Sequence, residues 1–251
     1  YREFVIGIGG SATNDAGVGM LQALGARFLD KDGAVLGKGG EILHRIAAID
    51  FSSVHPALKD TRFTIACDVR NPFCGPEGAA YVFARQKGAD DAMIEKLDAG
   101  MQSFARLIHS TTGREITHVP GAGAAGGLGG AFLAFLNAEL KPGIDLLLQT
   151  LNFSEKIKGA DLIITGEGRT DRQSLMGKVP SGILEEVKRQ GIPVIVVAGS
   201  IEDTEILNQA GFQGVFSIIP SPMSLETAMK PEVAKKNICR TVAQIISLVN
   251  L

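Results

Sequence analysis

Asp161-Leu162-Ile163-Ile164-Thr165-Gly166-Glu167-Gly168 and Pro193-Val194-Ile195-Val196-Val197-Ala198-Gly199-Ser200 decide the fold. Each is an unbroken apolar run of strand length that ends in glycine. The segment between them, 182–189, has helical spacing. Apolar strands without polar alternation are buried on both faces, and strands alternating with helices make a parallel sheet. A third strand at 214–219, a helix at 202–209 and a closing helix at 231–249 continue the pattern. The expected class is α/β.

Working outward, Phe4-Val5-Ile6 reads as a short buried strand stopped by Gly7, Gly9 and Gly10, with a helix expected over 11–25. Ala26-Arg27-Phe28-Leu29 is a return strand turning at Asp30-Lys31-Asp32-Gly33. Only a short helix is expected within 36–56. Phe63-Thr64-Ile65-Ala66 is a strand, and the prolines and glycines of 72–78 make a rigid loop after it. A long amphipathic helix is expected over 89–109, with Met93, Leu97, Met101, Phe104 and Leu107 on one face. The second glycine cluster, at 121–130, leads into a helix over 131–140, and another helix is expected over 145–151. A change of domain near 113–121 divides the chain into 1–118, a mixed α/β part, and 119–251, a Rossmann-like part.

The 251 residues carry 25 Lys+Arg against 27 Asp+Glu, a net charge of −2 that lacks the basic footprint of a nucleic-acid binder. No apolar run reaches the roughly 18 residues of a membrane span. Three cysteines without a C-x-x-C supply neither a disulfide framework nor a cysteine-built zinc site, and fit a reducing, cytoplasmic setting. The four histidines have no metal-ligand spacing. Glycine is the outlier, with 31 residues, about 12% where ~7% is usual.

Gly7-Ile8-Gly9-Gly10-Ser11-Ala12 meets the dinucleotide pattern G-x-G-x-x-G/A, and Asp30 stands near the place of a ribose-binding acid. A nicotinamide-dependent dehydrogenase is therefore one reading. Ser11, Thr13, Asn14 and Asp15 oppose it, because Asp15 would repel a pyrophosphate. Gly121-Ala122-Gly123-Ala124-Ala125-Gly126 matches the same pattern, so a single match says little. Both clusters would present amide groups and a helix N-terminus to phosphate, which makes Gly9, Gly10, Ser11, Asn14, Gly121, Gly123, Gly126 and Gly127 candidate nucleotide-binding residues. The competing explanation for either cluster is close packing of a helix on a strand. No Walker A motif, protein-kinase signature or nucleophile elbow is present.

Ligands of open parallel sheets bind at the carboxyl ends of the strands. That rule selects Gly166-Glu167-Gly168-Arg169-Thr170-Asp171, where two carboxylates and a guanidinium suit Mg²⁺ and a transferring phosphoryl group. Glu167 and Asp171 are the candidate metal ligands, and the glycines beside Glu167 show no packing role in the sequence. Lys178, heading the next helix, is a candidate catalytic cation. Asp68, after the 63–66 strand, is a candidate base or ligand, with turn formation as its competing role. Arg85-Gln86-Lys87-Gly88 reads as a polar loop with Lys87 on a solvated face, a phosphate contact being the lesser alternative.

Gly7-Ile8-Gly9-Gly10-Ser11-Ala12-Thr13-Asn14-Asp15, Ala66-Cys67-Asp68-Val69 with Asn71-Pro72, Gln86-Lys87-Gly88-Ala89, residues 120–129, and Ile164-Thr165-Gly166-Glu167-Gly168-Arg169 with Asp171 together resemble the bacterial glycerate kinase family. The resemblance covers nearly the whole chain. It implies ATP-dependent phosphorylation of D-glycerate, usually at the 2-hydroxyl, with Mg²⁺. It also implies a discontinuous Rossmann-like domain with a second α/β domain inserted. Under it, Asp68, Glu167 or Asp171 would hold Mg²⁺ or orient the hydroxyl, while Arg169 and Lys178 offset phosphoryl charge or bind the substrate carboxylate. The family has a further N-terminal portion before the position of Tyr1, so the 251 residues alone are expected to be inactive. Ala16 stands where family members often carry glycine. A binding module without turnover is the third reading.

Overall fold

The computed structural model describes residues 1–175 and 177–249, which divide into two compact units, Tyr1–Gly143 and Ile144–Leu251. Within the first unit the elements are β1 (Glu3–Gly7), α1 (Val18–Ala23), β2 (Arg27–Leu29), β3 (Ala48–Asp50), β4 (Arg62–Ala66), α2 (Asp91–Thr112), α3 (Ala124–Phe135) and β5 (Glu139–Lys141). β1, β4 and β5 form a parallel sheet in that order, and β2 pairs with β3 antiparallel. Phe63 and Ile65 of β4 pack with Ile8, Phe132 and Leu136. A larger core gathers Phe28, Leu43, Phe73, Met101, Phe104 and Ile108. α2 supplies much of it: Asp90 caps its start by accepting from the Met93 amide at 2.8 Å, and Ile94, Met101, Phe104 and Ile108 line its buried side. Met93, expected on that side, is 52% exposed.

The division falls after Gly143, not near 118. Residues 119–143 belong with the first unit because β5 pairs with β4 and the Phe132 ring packs 5.9 Å from Phe63. The helix expected over 131–140 ends at Phe135, and its last residues form β5. The rigid loop expected over 72–78 is followed by a π-helical turn, Ala80–Ala84, and a 3₁₀ turn, Arg85–Lys87. β3 and β5 are strands of three residues, too short to show a period.

In the second unit, α4 (Gly143–Thr150, starting on the last residue of the first) and α5 (Phe153–Lys156) precede β6 (Ile163–Thr170). α6 (Val179–Gln190), β7 (Val194–Ile201), α7 (Thr204–Ala210), β8 (Gly214–Ser217), α8 (Leu225–Ala228) and α9 (Pro231–Val249) follow. The parallel sheet runs β6-β7-β8, as the alternation requires. Val194 and Val196 pack with Leu184, Val187, Leu207 and Phe212 on one face. Among the described residues, no helix is long and apolar enough to cross a membrane.

Candidate functional site

β1 and β4 run parallel with Gly7 beside Ala66, so Ile8-Gly9-Gly10-Ser11 and Cys67-Asp68-Val69 leave the sheet next to each other. With Phe83, Gln86, Lys87, Ala124 and Ala125 they enclose a cleft of about 240 Å³. A methyl group added at Gly7, Gly9 or Gly10 would meet nothing within 4 Å. Gly10 has φ +70°, which turns the exposed backbone along the cleft.

Lys87 is the cation of this cleft. Its Nζ donates to Ser11 Oγ at 2.9 Å and to the Thr13 carbonyl at 2.6 Å. Burial pulls its ammonium below the ordinary lysine value, and the Asp15 carboxylate opposes that shift. The π-helical turn brings it there; such turns insert an extra residue and recur at functional sites. A side chain read as solvated is therefore half-buried and fixed. Asp68 is exposed at the cleft's edge, where its Oδ1 accepts from the Gly143 amide at 2.8 Å. A held ammonium, a hydroxyl and open glycine backbone form a place for a small carboxylate.

The loop does not run straight into a helix. α1 starts at Val18, and Asp15 caps it, accepting from the Gly17 and Gly19 amides at 3.0 Å each. Ala16 takes φ +55°, a left-handed conformation that suits glycine better. The dinucleotide fingerprint needs a helix N-terminus on the glycine loop, and none is there. Asp30 accepts from the amides of Asp32 and Ala34 in its own turn, at 3.0 and 2.9 Å. Both pillars of the dehydrogenase reading are thus removed. Asn14 lies outside the cleft's lining: its Nδ2 is 3.5 Å from Met101 Sδ, and its Oδ1 is buried without a hydrogen-bond partner.

Gly121, Gly123, Gly126 and Gly127 are packed closely against the protein itself. A Cβ on Gly121 would stand 2.9 Å from Leu140 Cδ1, and one on Gly123 would stand 3.0 Å from the Pro72 carbonyl carbon. On Gly126 it would stand 2.6 Å from Asn14 Cα, and on Gly127 2.8 Å from Ala16 Cα. This cluster is bare because backbone and side chains of the protein itself stand against it.

In the second unit, β6 continues through the expected loop to Thr170, with Glu167 beside Ala198 and Arg169 beside Ser200 of β7. Gly166 does have a packing role, since a Cβ there would be 2.8 Å from the Val197 carbonyl. Glu167 Oε1 is buried without a hydrogen-bond partner. Arg169 Nη2 donates to both Glu202 oxygens, at 2.9 and 2.8 Å, and its Nε lies 3.7 Å from Asp171 Oδ2. Those contacts, Glu202 first, raise its pKa and hold its charge between two carboxylates. The sequence offered no sign of Glu202, which it placed at a helix start. Lys178 is exposed at the start of α6, where its carbonyl accepts from Ser181 Oγ at 2.8 Å. Among the described residues no group of three or more His, Cys, Asp or Glu could hold a metal ion. Mg²⁺ commonly takes one or two carboxylates and completes its shell with phosphate and water, so the orphaned Glu167 oxygen fits such a cation.

A profile described as the glycerate kinase family matches residues 1–250. A protein from Halalkalibacterium halodurans named glycerate kinase is 47% identical over 230 residues, covering 91% of this chain and 60% of its own length. A protein from Escherichia coli K12 named glycerate 2-kinase is 47% identical over 244 residues, covering 97% and 64%. A crystal structure from Salmonella typhimurium LT2, described under the name glycerate kinase 2, superposes with a TM-score of 0.80 at 41% identity. That match covers 98% of this chain and 66% of the other. The chain spans 60–64% of the length of these two curated relatives.

Proposed function

This chain belongs to the glycerate kinase family, and from that premise we propose that it contributes to ATP-dependent phosphorylation of D-glycerate at the 2-hydroxyl, in the cytoplasm. The names borne by relatives at 44–47% identity support the reaction. The observation that carries the reading in this molecule is Lys87, half-buried and hydrogen-bonded to Ser11 and Thr13 beside the open Gly9-Gly10 backbone. The 240 Å³ cleft has room for a three-carbon acid but not for a nucleotide.

Lys87 and Ser11 bind the glycerate carboxylate, and the backbone at Gly9 and Gly10 lets the substrate approach. Asp68, at the cleft's edge, accepts a hydrogen bond from the substrate hydroxyl and orients it. ATP and Mg²⁺, when bound, supply the transferable phosphoryl group and offset its charge. Glu167 offers a carboxylate oxygen to that cation, and Asp171 and Arg169 stay as candidates for the same strand end. Lys178 remains a candidate for phosphoryl charge. Phosphoryl transfer rests on positioning and charge, so a site without histidine suffices. We assign the second unit to the Rossmann-like domain and the first to the inserted one, supported by the parallel β6-β7-β8 sheet.

An ADP-release assay with D-glycerate, ATP and Mg²⁺ on a chain of the relatives' full length tests the proposal. Glycerate-dependent ADP release is expected. Folded protein that binds glycerate yet releases no ADP would leave a binding module instead.

A further inference from the structure

A cavity of about 800 Å³ opens at the carboxyl ends of β6, β7 and β8. Its floor is bare backbone. The register sets Gly168 beside Gly199, and a Cβ on Gly199 would stand 2.8 Å from the Gly168 carbonyl. Gly166 extends the same strip along β6. The opposite walls are aliphatic and thioether side chains, Met223, Leu225, Met229 and Ile238. Glu167 is the one charged residue on the lining among the described residues.

We propose that this cavity takes the purine base of the nucleotide, an inference that rests on the ATP reading above. Its apolar walls suit neither glycerate nor a phosphate chain, since both are anionic and no cationic side chain lines it among the described residues; the phosphates stay with the cation that Glu167 would hold. The base is the flat, uncharged part of the reactants. Adjacent glycines leave a surface on which a planar ring lies flat, and the polarizable methionine sulfurs pack favourably against aromatic faces. The volume falls within the ~300–1,000 Å³ of small-molecule sites, and the place is where parallel sheets bind ligands.

Titration calorimetry of the full-length chain with ADP, pyrophosphate and D-glycerate tests this. Gly168→Val fills the floor without strain, because a Cβ there meets nothing within 4 Å and β-branched residues favour strands. Ala234→Leu fills the same space from α9. Both variants are expected to weaken ADP at least about tenfold while glycerate binds as before, and Ala234→Leu, remote in sequence from Glu167 and Arg169, also leaves pyrophosphate binding unchanged. A folded variant that binds ADP as tightly as the parent overturns the base pocket and leaves the kinase reading intact. Unchanged ADP affinity with altered unfolding would mean that another segment of the chain fills the cavity, and overturns it equally. Failure of the parent itself to bind ADP overturns both.

Discussion

Gly7-Ile8-Gly9-Gly10-Ser11-Ala12 and Gly121-Ala122-Gly123-Ala124-Ala125-Gly126 satisfy one pattern and do opposite things. In the first, a side chain at Gly9 or Gly10 would enter open space; in the second, one at Gly121, Gly123 or Gly126 would strike packed atoms of the protein itself. The second also serves the first. Gly126 presses against Thr13 and Asn14, and its carbonyl accepts from the Ala16 amide at 2.9 Å. It thereby seats the loop whose Thr13 carbonyl holds Lys87. Glycine spacing marks where backbone must be bare. What comes near that backbone is decided by whether it lies at a strand end or beneath another segment.

The contrast breaks most readily at Gly126→Ala. The new methyl would sit 2.6 Å from Asn14 Cα at φ +70°. Left-handed strain and overpacking together should lower stability by about 2–5 kcal/mol. Urea unfolding measures it, and an unchanged midpoint would show that the cluster is not a packing seat.

Lys87→Met probes the open cluster. In a chain of the relatives' full length, kcat/KM for glycerate is expected to fall about 100-fold, about 2.7 kcal/mol of transition-state stabilisation, with a small change in unfolding midpoint. The parent carries a second signature in its pH profile. Because burial lowers the Lys87 pKa, the ammonium is lost at a pH below the ordinary lysine range. Glycerate KM should rise there. Stability should rise over the same window: between the lowered folded value and the unfolded one, the unfolded chain binds more protons, so stability increases with pH. KM and stability rising together across that window, with both trends absent in Lys87→Met, would assign the titration to this side chain.

Much of this architecture is legible in the residues. The Ile163-Ile164 and Val194–Ile201 runs announce a parallel sheet because strands buried on both faces need no alternation. The glycines in Gly166-Glu167-Gly168 hide the continuation of β6, since pairing with Val197 and Ala198 overrides their poor strand propensity. β3 and β5 exist only through their partners. The α/β class, the place of Gly9, Gly10 and Ser11 after one strand and that of Asp68 after another could be read from the sequence; that the two strands are neighbours could not. Lys87 could not, because its burial depends on the π-helical turn and on a loop 74 residues away. Local spacing also cannot tell an open glycine from one lying against Asn14. The family resemblance added the chemistry, which no single motif carries.

Asp15→Ala sharpens the comparison where the clusters meet. It removes the acceptor of two amides at the start of α1, so stability should fall by about 1 kcal/mol, up to about 2. Asp15 also raises the Lys87 pKa. Its loss should therefore move the alkaline rise in glycerate KM to lower pH, while KM near neutrality changes little. A stability loss without that shift would reduce Asp15 to a helix cap.

Gly9→Ala should disturb the fold least. No atom stands within 4 Å of the added methyl, and no left-handed φ forbids it. Stability should stay within about 0.5 kcal/mol, as for surface changes away from special features. The methyl nevertheless enters the cleft proposed for glycerate, so glycerate KM should rise several-fold. The pair Gly9→Ala and Gly126→Ala then reverses cleanly, one altering binding with the fold intact and the other altering the fold first. If Gly9→Ala leaves both untouched, the exposed backbone at the end of β1 is only a turn, and substrate recognition rests on Lys87 and Ser11 alone.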